Sequence, residues 1–173
     1  MTSFVALLRA VNVGGTGKLP MSDLKAMCEQ IGCRSVRTYI ASGNVVFQSD
    51  RSAKDVQAKL ESKLEAYAGK PVGVLVRTAE ELAAVHAANP FPSCELSKVV
   101  AFFLNDAPPN DALARVSGQK NEELRLGLRE IYVHFVDGIG TSKLKVPAAA
   151  RGTSRNMNTI AKLSQMANED PAV

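Results

Sequence analysis

Apolar positions along the chain switch repeatedly between strand-like and helical spacing. Thr2 to Val11 is rich in apolar and β-forming residues and runs into Asn12-Val13-Gly14-Gly15-Thr16-Gly17, which reads as a buried strand entering a loop. Leu24, Met27, Cys28 and Ile31 then recur at i, i+3, i+4 and i+7, one face of a helix, with Ser22 as its N-cap and Gly32 as its stop. Val36 to Ala41 and Val45 to Gln48 flank Ser42-Gly43-Asn44, which is a hairpin signal. A second helix starts at Ser52, with Asp55 in an approximate capping-box position, and buries Val56, Leu60, Leu64 and Tyr67. Pro71 to Arg77 closes the unit as a strand. The order β-α-β-β-α-β over residues 1–78 is the ferredoxin-like arrangement.

A second round occupies residues 79–173. Thr78-Ala79-Glu80-Glu81 caps an extra helix through His86, which Asn89-Pro90 stops. Lys98 to Leu104 reads as a strand, Asp111 to Val116 as a short helix, and Leu124 to Leu128 with Ile131 to Val136 as a hairpin. Ser154 to Ala167 reads as a final helix with Met157, Ile160, Leu163 and Met166 on one side. The expected class is therefore α+β, two ferredoxin-like halves with antiparallel sheets.

Length and composition fit this picture: 173 residues with 46% hydrophobic content fill a core. Cys28, Cys33 and Cys94 form an odd set with no C-x-x-C pair and no histidine at ligand spacing, so neither a disulfide framework nor a metal site is indicated, and no cofactor. Arg9 breaks the first apolar run too early for a signal peptide, and no apolar stretch reaches about 18 residues, so the expected setting is a cytoplasm without membrane contact.

The net charge is only +4, but acids are missing in blocks. Arg9 and Lys18 precede any acid, Arg34 and Arg37 lie in a second acid-free stretch, and Lys143, Lys145, Arg151, Arg155 and Lys162 in a third. If these blocks meet, they make a surface that attracts phosphates or other anions; the plainer reading is a solvated basic face.

Four motifs carry a family resemblance over nearly the whole chain. They are Ala6-Leu7-Leu8-Arg9-Ala10-Val11-Asn12-Val13-Gly14-Gly15, Ser42-Gly43-Asn44-Val45-Val46-Phe47, Asp137-Gly138-Ile139-Gly140 with Ser142-Lys143-Leu144, and Thr153-Ser154-Arg155-Asn156 with Asn158-Thr159. They resemble the signatures of a bacterial family known as domain of unknown function 1697 (DUF1697). The resemblance implies a cytoplasmic, ferredoxin-like α+β protein with no established activity. The chain departs from the family's pattern at Met157, where an aromatic is usual, and at Val136 and Thr141, where a proline and a basic residue are.

No motif fixes a reaction. Gly14-Gly15-Thr16-Gly17-Lys18 follows a strand and precedes a helix, but Asn12 stands at the first Walker glycine and Leu19 at the hydroxyl position. Thr153 to Asn156 fall in the expected first turn of the final helix, where backbone N–H groups lack partners; they either bind an anion or merely cap the helix. Arg155 is awkward there as a cap, because a cation is disfavoured at the positive end of a helix. Ser142-Lys143 suggests a nucleophile pair, yet neighbours on a strand face opposite ways. His134, with Asp137 close in sequence, is a candidate general base and equally an ordinary strand histidine. Phe4 and Phe47 are candidate base-stacking residues, although aromatics are only 5% of the chain.

The leading expectation is a binding module for a phosphate-bearing or carboxylate ligand, with nucleotide or RNA within its range. Its residues would be Arg9, Asn12, Gly14, Gly15, Lys18, Asn44, Lys143 and Arg155. The rival is an enzyme acting on a small anion with His134 as proton shuttle, and the third reading is a self-assembling protein that pairs sheet edges.

Overall fold

The apolar runs assigned to strands in the first half join one antiparallel sheet. A computed structural model of the protein describes residues 1–9 and 18–169. In it, β1 (Thr2–Leu8), α1 (Met21–Gln30), β2 (Arg34–Thr38), β3 (Asn44–Ser49), α2 (Ala53–Ala68) and β4 (Val74–Thr78) follow in that order. The sheet order is β2-β3-β1-β4, the ferredoxin-like permutation.

Strand alternation sends Phe4, Ala6 and Leu8 to the face that also carries Val45, Phe47, Val74 and Val76. Leu24 and Cys28 of α1 and Val56, Leu60 and Leu64 of α2 pack onto that face. Each such leucine removed from water is worth about 1.5–3 kcal/mol. Val5, Leu7, Val46 and Leu75 point the other way and are buried as well.

The helix ends differ in how closely they follow their sequence signals. Ser52 caps α2 by accepting the Asp55 N–H at 3.1 Å, and Gly69 ends it in the left-handed conformation at φ 73°. Ser22, expected to cap α1, lies inside the helix; Pro20 precedes the first turn instead, its carbonyl accepting from Asp23 and Leu24. Tyr67, expected in the core, is 48% exposed because its hydroxyl reaches Asp23 at 3.1 Å.

The second half has α3 (Ala79–Ala87), β5 (Val99–Phe103), β6 (Glu123–Leu126), β7 (Glu130–His134), β8 (Thr153–Asn156) and α4 (Met157–Asn168). Its sheet order, β6-β7-β5-β8, repeats the permutation of the first. The expected capping box of α3 forms: Thr78 Oγ1 accepts the Glu81 N–H at 3.1 Å, and a Glu81 carboxylate oxygen accepts the Thr78 N–H at 2.9 Å.

One expectation is refined in this half and one fails. The short helix expected over Asp111 to Val116 is a single 3-10 turn over Ala112–Arg115, which starts just after Pro108-Pro109. The segment expected to open the last helix is instead the edge strand β8, paired to β5 through Phe103↔Thr153 and Ala101↔Arg155. Asn156 then caps α4, its side-chain oxygen accepting the Thr159 N–H at 2.9 Å. Met157, Ile160, Leu163 and Met166 are all buried, as their spacing requires.

The described chain divides into two compact units, Met1–Ala83 with Lys162–Val173 and Ala84–Ala161. Within the first unit Arg37 donates to the Met166 carbonyl at 2.7 Å and pairs with Glu169 at 3.2 Å. No helix among the described residues is long and apolar enough to cross a membrane.

Candidate functional site

Loops 117–122, before β6, and 137–145, after β7, run side by side in the second half. Ser117 and Lys145 exchange both backbone hydrogen bonds, at 3.0 and 2.8 Å. Gly118, at φ 70°, lies where a Cβ would collide with the Lys143 carbonyl, so the approach requires glycine. Between the loops lies a cavity of about 280 Å³, lined by Phe135 and by polar groups from both.

Glu122 ties the two loops together. It is only 5% exposed; one carboxylate oxygen accepts the N–H groups of Lys120 (2.9 Å) and Asn121 (3.2 Å), and the other accepts the Ser142 hydroxyl at 3.0 Å. The Lys120 N–H above all, with its own N–H, the Ser142 hydroxyl and the Asn121 N–H, holds this carboxyl below its ordinary range against the opposing effect of burial. Ser142 also accepts the Leu144 N–H at 3.1 Å. Its proton is thus committed to a carboxylate held ionised, a poor arrangement for a nucleophile. Asn121 donates to one oxygen of Asp137 at 2.7 Å, and the Asp137 carbonyl accepts the Thr141 hydroxyl at 3.2 Å.

Lys120 and Lys143 also line the cavity and are exposed. Neither ammonium group has a hydrogen-bond or ion-pair partner among the described residues. Two lysines whose ammonium groups have no partner among the described residues therefore share the lining of one cavity with Glu122, whose oxygens are occupied by donors.

Of the residues expected to bind a ligand, Lys143 lines this cavity. Arg155 does not: it stands on β8, 8% exposed, and donates to Thr153 Oγ1 and the Ser154 carbonyl, both at 2.8 Å. Burial pushes its pKa down to about 10. The helix-start argument for Arg155 therefore falls, because the residue lies in a strand rather than in the first turn of α4.

Arg9, Lys18 and Asn44 belong to the first half. Arg9 and Lys18 are exposed, and the Arg9 N–H donates to the Gly73 carbonyl at 2.9 Å. Asn44 is fully buried and donates to the Tyr39 carbonyl and to Ser42 Oγ, both at 2.9 Å. It braces a turn in which Ile40 is held at φ 51°, a conformation costly for a β-branched residue. Asn12, Gly14 and Gly15 lie outside the described residues.

His134 is half-buried, with its ring centroid 5.6 Å from that of Phe91. Alternation along the chain puts it on the side opposite Phe135, which lines the cavity, and His134 is not among the lining residues. Phe4 and Phe47 pack against each other in the core at 5.8 Å between ring centroids and offer no platform for bases. No group of three or more His, Cys, Asp or Glu side chains among the described residues is placed to hold a metal. Lys120, Asn121 and Glu122 were not legible as site residues, since Glu122 meets Ser142 from 20 positions away and no local spacing announces the contact.

Among the described residues, two four-stranded antiparallel sheets of one strand order, with four α-helices, define an α+β protein of two ferredoxin-like halves. The model of the family described as "Protein of unknown function (DUF1697)" matches residues 1–132, and the chain belongs to that family. A solved structure of a conserved bacterial protein from Streptococcus pneumoniae is similar, with a TM-score of 0.78 and 25% identity over 96% of this chain and 99% of that one. No curated protein matches the chain.

Proposed function

We propose that the protein is a binding module whose cavity in the second half takes a small anion, a phosphate-bearing or carboxylate ligand. One observation carries this reading: Lys120 and Lys143 are among the residues that line a cavity of about 280 Å³, and neither ammonium group has an ion-pair partner among the described residues. The neighbouring Glu122 does not supply that partner, because N–H groups and the Ser142 hydroxyl already occupy its oxygens. Lys143 is the one residue kept from the sequence expectation. We place the protein in a cytoplasm, a setting that suits its free cysteines.

The test is calorimetric titration of the full chain with inorganic phosphate and with a small dicarboxylate at low ionic strength. At least one anion binds, binding weakens as salt is added, and Lys143→Glu abolishes it without changing the melting temperature of the unliganded protein. An unchanged affinity in Lys143→Glu, or no binding of either anion by the natural chain, refutes the proposal.

A further inference from the structure

The cavity holds an acid that an anion site does not need. Asp137 lines it, and Asn121 fixes one of its carboxylate oxygens at 2.7 Å, while the other has no partner among the described residues. A carboxylate in this state is an oriented acceptor, and in a cavity lined by Lys120 and Lys143 it meets an anionic ligand only through that ligand's own hydrogen-bond donors. Glu122 differs: three donors already engage its two oxygens. The lining therefore separates into cations for an anionic group and one acceptor for a donor group.

Resting on the anion-binding reading, we infer that the ligand is a small phosphate monoester that also carries hydroxyl groups, a polyol or sugar phosphate. Two ammonium groups suit a phosphate monoester, which is close to dianionic at neutral pH, better than a single carboxylate. A cavity of about 280 Å³ lies at the small end of ligand sites, which excludes a polynucleotide as the enclosed group. Asp137 then accepts a ligand hydroxyl, and the bond from Asn121 keeps its carboxylate aimed.

The experiment titrates the full chain with inorganic phosphate, glycerol 3-phosphate, a hexose 6-phosphate and the uncharged hexose. At least one hydroxylated phosphate binds about tenfold more tightly than inorganic phosphate, the worth of one good charge-assisted hydrogen bond. Asp137→Asn, which still offers Asn121 an acceptor oxygen, removes most of that advantage, read as the ratio of ester to inorganic phosphate affinity measured in the same variant. The melting temperature of unliganded Asp137→Asn separates lost recognition from lost folding. If inorganic phosphate binds as tightly as both hydroxylated esters, or Asp137→Asn leaves their advantage intact, the polyol inference fails while the anion site stands. If no phosphate binds at all, the polyol phosphate inference falls, and the anion reading falls with it when the dicarboxylate does not bind either.

Discussion

The two halves of this protein share one strand order but cover their sheets in different ways. In the first, α1 and the 16-residue α2 pack Leu24, Leu60 and Leu64 onto the sheet. In the second, the corresponding connections are 3-10 turns and loops, and the core around Val100, Ile131 and Val133 is closed by Leu113, Val116, Leu144 and Val146. A sheet permutation therefore does not prescribe what covers it. Helices cover a sheet with regular faces and satisfy their own backbone groups, whereas loops need side chains such as Glu122 and Ser142 to serve as ties. Those ties leave polar groups at a cavity, which is why the loop-covered half is where a ligand site is sought.

The edges differ in the same spirit. β2 is interrupted by an irregular register between Arg34 and Arg37, with Ser35 at φ 52°. On the β6 edge, Arg125 donates to the Leu124 carbonyl at 2.8 Å and Gln119 to the Glu122 carbonyl at 2.7 Å, covering acceptors that an added strand would need. Both devices discourage pairing of sheet edges between molecules.

The contrast in covering is broken most directly at matched leucines. Leu60→Ala removes a fully buried side chain from α2 and is expected to cost about 2–5 kcal/mol in urea unfolding. Leu113→Ala, at a half-buried leucine on a 3-10 turn, is expected to cost about 1 kcal/mol. Equal costs would mean that the turns of the second half are packed as firmly as the helices of the first.

A second comparison uses two glycines in nearly the same backbone conformation. Gly69, at φ 73°, has open space around an added Cβ, and Gly69→Ala is expected to cost only the left-handed strain, about 1 kcal/mol. Gly118, at φ 70°, adds a collision with the Lys143 carbonyl, so Gly118→Ala is expected to cost about 2–3 kcal/mol and to abolish phosphate binding as the loops part. Phosphate affinity retained in a folded Gly118→Ala protein would show that the cavity does not depend on the close approach of the two loops.

How much of this was legible from residues follows the same division. The first half carries its elements in local signals: the i, i+3, i+4 and i+7 set ending at Ile31, the Ser52 cap and the Ser42-Gly43-Asn44 turn. The second half hides its fourth strand, because Thr153-Ser154-Arg155-Asn156 is short, polar and indistinguishable from a helix cap until β5 is beside it. Lys143 was legible as part of an acid-free block. Its partners at the cavity were not, since tertiary approach alone joins Glu122 to Ser142. Asn44 and Arg155 show the converse, polar residues of a family signature whose hydrogen bonds to their own backbone neighbourhood no local spacing announces.

The smallest expected effects separate the halves by pH. In the second half, Glu122 has a carboxyl pKa below its ordinary value, so the unfolded chain takes up that proton first as pH falls. Its stabilising contribution is present above the ordinary carboxylate range and is lost as pH drops through the lower folded value. In the first half the sign reverses. Burial pushes the Cys28 thiol from 9.0 up to about 12 and Cys33 up to about 11, so the unfolded chain loses these protons first as pH rises. That stability is intact below the ordinary thiol value and disappears as pH climbs through the folded values. Urea midpoints between pH 3 and pH 10 should therefore show an acid limb that flattens in Glu122→Gln and an alkaline limb that flattens in Cys28→Ala. An alkaline limb unchanged in Cys28→Ala would mean that this thiol is less shielded than its burial indicates. An acid limb unchanged in Glu122→Gln would mean that the loop tie contributes no pH-dependent stability, and the covering of the second half would then rest on its apolar side chains alone.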